Sequence, residues 1–103
     1  MDNNWYAGTD LKFLVEMSST GFDMDTDDWS ISVKNANKVV LEIPKSGCVR
    51  EPAEGKWYVH INADILKPGS LSLVAHIRVP DSNFDDGYRD EYEERTVGNI
   101  KKI

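Results

Sequence analysis

Residues 57–89 read WYVHINADILKPGSLSLVAHIRVPDSNFDDGYR, and two runs within them decide the fold. In the first, the apolar side chains fall at Trp57, Val59 and Ile61. In the second they fall at Leu71, Leu73, Ala75, Ile77 and Val79. Successive side chains of a strand point to opposite faces, so a period of two gives each run one apolar face. Between the runs, Ala63–Lys67 suits one helical turn that Pro68-Gly69 stops. Such a connection fits a corner where the chain crosses between sheets better than a two-residue hairpin. After the second run, Pro80–Tyr88 collects Asp81, Asp85, Asp86 and Gly87 into an acidic loop at the rim.

The same reading extends outward. Leu11, Phe13, Val15 and Met17 alternate with Lys12, Glu16 and Ser18, with Leu14 as the exception, so 11–18 is a half-buried strand. Asn4–Ala7 is a short edge segment stopped by Gly8, in which Trp5 and Tyr6 are either lids on the core or contact residues. Residues 18–28 carry four aspartates and a glycine and form a loop, with Phe22 and Met24 as anchors back to the core. Trp29, Ile31 and Val33 start a hairpin that turns at Asn35-Ala36-Asn37 and returns through 38–43, because Asn tolerates the left-handed backbone of tight turns. Residues 44–56 hold two prolines and two glycines and read as an irregular connection, with Cys48 and Val49 turned inward. The last segment, from Arg89, has a weak alternation of Tyr92, Glu94 and Thr96 and no apolar stripe at helical spacing. It reads as an edge strand whose charges blunt edge-to-edge aggregation. The expectation is all-β: one domain over residues 1–103, an antiparallel immunoglobulin-like β-sandwich of about seven strands.

Composition narrows the function classes. Eighteen acidic residues against twelve basic ones give a net charge of −6. That balance argues against nucleic acid, whose affinity comes largely from Lys and Arg neutralising phosphates. No apolar run approaches the ~20 residues that span a bilayer, and the N-terminus has no basic-then-apolar leader pattern. Cys48 is the only cysteine, which removes an internal disulfide and a cysteine-based zinc site.

Candidate chemistry is thin. Asp23, Asp25 and Asp27 have the spacing of a calcium loop, but Asp28 stands where an EF-hand needs Gly and Lys34 where it needs Glu. Asp81, Asn83 and Asp85 repeat the spacing, with Gly87 one residue late. His60 and His76 lie on strand faces opposite the apolar sets and lack a third ligand fixed by spacing. Cys48 lies near Lys45 and Arg50 in sequence, yet no base is placed beside it. Serines are plentiful, but no nucleophile elbow and no phosphate-cradling glycine loop occurs. The expectation is therefore no catalytic residue, no metal and no cofactor. Interface candidates are Trp5, Tyr6, Phe84, Asp85, Asp86, Tyr88 and Arg89, since Tyr, Trp and Arg are enriched where proteins meet. Trp29 and Trp57 read as core.

Three stretches carry a family resemblance: Gly8-Thr9-Asp10-Leu11, Gly21-Phe22-Asp23-Met24-Asp25, and Pro80–Gly87 with Arg89 following. With them the chain resembles small immunoglobulin-like virion and prophage proteins from tailed phages of gut bacteria. More loosely, through Leu66-Lys67-Pro68-Gly69, it is similar to the N-terminal fibre-anchoring domain of phage baseplate upper proteins. The resemblance implies a non-enzymatic structural protein in the virion: an auxiliary or decorating protein docked on the capsid, or an adaptor anchoring fibres. Its partners would be capsid, fibre or tail proteins, met in multiple copies on a symmetric assembly. The absence of a C-terminal fibre region favours the auxiliary role. A carbohydrate- or protein-binding β-sandwich module is the alternative.

Overall fold

The computed structural model describes residues 3–103. It contains eight strands: β1 (Asn3–Tyr6), β2 (Leu11–Val15), β3 (Trp29–Asn35), β4 (Lys38–Pro44), β5 (Val49–Glu51), β6 (Lys56–Ile61), β7 (Gly69–Pro80) and β8 (Tyr88–Lys101). They form two sheets, a five-stranded one in the order β1-β8-β7-β3-β4 and a three-stranded one in the order β2-β6-β5. The all-β, two-sheet expectation holds. Among the described residues no helix is long and apolar enough to cross a membrane.

The period-two runs build the core as read. Trp29, Ile31 and Val33 of β3, Leu71, Ile77 and Val79 of β7, and Val59 and Ile61 of β6 are all buried, meeting between the sheets. Phe22 and Met24 pack against this core from the first acidic loop. The β3–β4 hairpin turns on Ala36 and Asn37, with φ of 52° and 66°, the left-handed pair that matches the twist of flanking strands.

The segment from Trp57 to Val79 crosses between the sheets. β6 belongs to the small sheet and β7 to the large one, joined by a 3-10 turn at Ala63–Ile65. Asp10 caps that turn by accepting the Ala63 N–H at 2.8 Å. The corner is then clamped by Asn35, which is only 3% exposed. Its Nδ2 donates to the carbonyls of Lys67 (2.9 Å) and Ser70 (3.1 Å), and its Oδ1 accepts the Lys67 N–H at 2.7 Å. Gly69 follows, at φ 137°, where a Cβ would overlap Ala36 of the hairpin turn.

Four expectations are corrected. The first long strand ends at Val15, not Ser18, although Met17 still packs on the core. Residues 44–56 are not wholly irregular: a 3-10 turn at Lys45–Gly47 leads into β5, which pairs with β6 through Val49↔Tyr58. Val49 is exposed rather than turned inward, because β5 is an edge strand and places Cys48 and Val49 on opposite sides. The C-terminal segment is the longest strand and is an edge over only part of its length. From Gly98 to Lys101 it lies inside the sheet, with β1 running parallel to it through Asn3↔Gly98 to Tyr6↔Lys101. Gly98 permits that approach, since any Cβ there would overlap the Asn3 carbonyl and the Trp5 ring.

Replacing Asn35 by alanine strands the Lys67 backbone N–H and C=O where the two sheets meet. Urea unfolding should show Asn35→Ala destabilised by about 1–3 kcal/mol, the range for buried polar groups left without a partner. Asn35→Asp should be worse at neutral pH than in acid, because its carboxylate would face the Lys67 and Ser70 carbonyls.

Candidate functional site

The long β7–β8 hairpin sets out the candidate residues. Its alternation places Arg78, His76 and Val74 of β7 beside Asp90, Tyr92 and Glu94 of β8 on the outer face of the large sheet, through the pairs Arg78↔Asp90, His76↔Tyr92 and Val74↔Glu94. Here side chains interlock laterally. Tyr92 stacks on His76 with ring centroids 4.4 Å apart and planes 6° from parallel. His76 Nε2 lies 2.9 Å from Asp90 Oδ1, and Arg78 Nε donates to the same oxygen at 3.1 Å. Arg78 also donates to Asp86 at 2.6 Å and lies over the Tyr88 ring at 4.5 Å. Tyr92, Tyr88 and Phe84 remain 69%, 41% and 48% exposed. The rings of Tyr92 and Tyr88 are thus held by His76 and Arg78 while open to solvent, with Phe84 exposed nearby at the hairpin tip.

The loop 81–87 at the hairpin tip is ordered by its own backbone. Asp81 N–H donates to Gly87 O, Gly87 N–H to Phe84 O, and the Asp81 and Asp86 carboxylates accept the N–H groups of Asn83 and Tyr88. Arg89 locks it to the rest of the molecule, donating to Asp81 (2.7 Å), Glu91 (2.7 Å) and the Thr20 carbonyl (3.2 Å). Arg89 is thus turned inward as a tie between the two acidic loops, while Asp85 and Phe84 project from the tip. Trp5 and Tyr6 do not join this group. They pair with Ile100 and Lys101, the opposite end of β8, about 40 Å away at ~3.3 Å per residue. There Trp5 is a half-buried lid on Phe13, edge to face at 5.6 Å, and Tyr6 is exposed. Neither Tyr92 nor Arg78 is among the interface residues expected from sequence, although the period of two from Tyr88 puts Tyr92 on the same face.

The first acidic loop has a different use for its charges. Asp25 accepts from Arg50 Nε at 2.9 Å and Trp57 Nε1 at 3.0 Å, and Asp23 and Asp27 accept backbone N–H groups within the loop. Lys45 donates its ammonium to the carbonyls of Asp25 (2.8 Å) and Asp27 (2.9 Å). The cation in this loop is a lysine of the chain itself. Among the described residues no three carboxylate, imidazole or thiol groups gather in metal-binding geometry. His60 and His76 lie in different sheets, so the two imidazoles do not meet. Burial pushes the Cys48 thiol up, away from thiolate reactivity.

The ion pairs also pull carboxylates below their ordinary values. Asp25 is lowered by its hydrogen bonds from Arg50 and Trp57, Asp90 by those from His76 and Arg78, Glu91 by Arg89, and Asp81 by the Asn83 N–H and Arg89. A group whose native pKa lies below its unfolded one stabilises the fold while both states are ionised. It loses that contribution as pH falls from the unfolded value through the native one. The ordinary values are 3.8 for aspartate and 4.5 for glutamate, so stability should be level above about pH 5 and decline below about pH 4. Asp25→Asn should lower stability at pH 7 and flatten that acid limb in denaturation curves taken at successive pH values.

Comparison with family models, with curated proteins and with solved structures finds no match to this chain.

Proposed function

We propose that the chain is a non-enzymatic docking domain that joins an assembly through the outer face of β8 and the tip of loop 81–87. The observation that carries this reading is the exposed set Phe84, Tyr88 and Tyr92, of which Tyr88 is held under Arg78 and Tyr92 against His76, with Asp86 and Asp90 fixing Arg78. Tyrosine and arginine are enriched among residues that dominate binding energy, and side chains already held in place lose little entropy on docking. The charges around the row are engaged with one another, so they frame the patch.

The specific form we favour is the one implied by the phage resemblance. The fold is then an immunoglobulin-like sandwich, and the protein resides in a tailed-phage virion as a small auxiliary or decorating protein on the capsid, or as an adaptor anchoring fibres. Repetition on a symmetric particle would let weak single contacts act together. A second reading draws on one feature: Tyr92, backed by His76 and 69% exposed, offers an open ring face on the outer side of the sheet, an arrangement that suits stacking against a sugar ring.

Phe84→Ala and Tyr92→Ala, both at exposed positions, should leave circular dichroism and the unfolding midpoint nearly unchanged, while each reduces co-sedimentation with assembled particles at least fivefold. A wild-type chain that remains a free monomer and never enters particles would sink the virion reading. Saturable glycan binding abolished by Tyr92→Ala would favour the sugar-stacking alternative. Loss of folding in Phe84→Ala would show that its ring serves the core.

A further inference from the structure

The two outer faces of the sandwich treat their charges differently. On the large sheet Lys34 pairs with Glu94, and Asp90 with His76 and Arg78. On the small sheet Lys12, Glu16, Glu51 and Lys56 meet no opposite charge, and among the described residues no ion pair lies on that face. An apolar band crosses the same face. Phe13 and Trp57 turn inward to the core, so their neighbours Leu14 and Tyr58 turn outward. Leu14 stands opposite Tyr58, and Tyr58 opposite Val49, one residue from each of the three strands. Leu14 is 43% exposed and Val49 44%. Leu14 is also the residue that breaks the polar side of its strand's alternation.

The flanks of this band differ in sign. On one side lie Lys12 and His60, opposite each other in register, with Lys12 Nζ 4.5 Å over the Tyr58 ring. On the other side Glu16, Glu51 and Glu54 outnumber Lys56, and the Tyr58 hydroxyl donates to Glu54 at 2.7 Å. The phenol is pushed up, first by that hydrogen bond, then by desolvation and by the charges of Glu54, Glu51 and Glu16, which gather beside the ring. Lys12 and Glu16 are four residues apart along β2 and its continuation, ~13 Å in extended chain. They are therefore too far apart to pair with each other.

Such a face complements itself. A second copy turned by a two-fold rotation about the band and laid on the first stacks Leu14 on Leu14, Tyr58 on Tyr58 and Val49 on Val49. The same rotation exchanges the flanks, so Lys12 of each copy comes over Glu16 of the other. His60 comes over Lys56, from which a neutral imidazole accepts a hydrogen bond. A contact of this kind is isologous, and two-fold dimers are the commonest soluble assemblies. A partner of uniform charge would instead match one flank and be repelled by the other. We infer that the outer face of the three-stranded sheet is a homodimer interface, in which two copies pack sheet on sheet across Leu14, Tyr58 and Val49. Phe84, Tyr88 and Tyr92 belong to the β7–β8 hairpin of the other sheet, so the inference does not rest on the docking reading. A dimer would bring two such hairpins to one assembly, where linked contacts reinforce each other.

Sedimentation velocity of the full chain at successive concentrations provides the test. The wild type should show a reversible monomer–dimer equilibrium. Lys12→Glu and Glu16→Lys, both at exposed positions, should each weaken it about tenfold. An equimolar mixture of these two variants should dimerise again, because every carboxylate then meets an ammonium across the two-fold axis. Val49→Glu, on the exposed edge strand, should abolish association while leaving circular dichroism unchanged. Three results would overturn the proposal. They are a wild type that stays monomeric up to about 1 mM, a variant mixture that associates no better than its components, and a dimer that Val49→Glu leaves intact. The last would move the contact off this face, for example to the edge of β2. Phe84→Ala and Tyr92→Ala should dimerise as the wild type does, so failure of the docking reading and failure of this one are distinguishable.

Discussion

Trp29 and Trp57 meet edge to face across the two sheets, centroids 5.2 Å apart and planes at 90°. Trp29 opens β3 of the large sheet and Trp57 lies near the start of β6 of the small one, so this contact joins the layers beside the first acidic loop. Such a pair adds about 0.5–1.5 kcal/mol beyond the area it buries. Its larger effect is positional. Each indole N–H reaches the first acidic loop, Trp29 at the Met24 carbonyl and Trp57 at the Asp25 carboxylate. The loop that carries the chain from one sheet to the other is therefore fastened to the pair that holds the sheets together. Lys45 completes the arrangement, donating to two loop carbonyls and lying 5.5 Å from the Trp57 ring.

Legibility in the sequence followed the range of each interaction. The β3–β4 hairpin was readable because its alternation and its Asn35-Ala36-Asn37 turn are local. The β6–β7 corner was readable for the same reason, through Pro68-Gly69 and the long apolar runs. β5 was not, since three residues between a glycine-proline region and a turn are too few to show a period. The parallel clasp of β1 on β8 joins residues more than ninety apart, and a four-residue strand carries no sign of its partner. The docking row was half legible: Phe84 and Tyr88 stood out, but Tyr92 lay in a run of acids and gained meaning only when register set it on His76. Arg89 looked available in sequence and proved to be a tie, because its partners Asp81 and Thr20 come from separate loops.

The edges show how one sequence both invites and refuses pairing. β4, at one border of the large sheet, has exposed Val39 and Val40, and a bulge after Val33 leaves Val40 without a partner on β3. That break in alternation disturbs the template a second copy would need. β8 has Glu91, Glu93 and Arg95 opposite Ile77, Ala75 and Leu73, on the side facing the other sheet. Charged side chains on that inward side blunt the pairing of a second copy along this edge.

The direction of β1 has a mechanical consequence. Asn3 to Tyr6 and Gly98 to Lys101 run the same way, side by side. Tension drawing Asn3 and Lys101 apart along the strands therefore acts parallel to them and loads their inter-strand hydrogen bonds in shear, all together. An antiparallel hairpin such as β7–β8 pulled at its open ends would peel one pair at a time. With Trp5 seated against Gly98 and Phe13, the short clasp resists stretch at the very strands through which an end-to-end pull enters the fold.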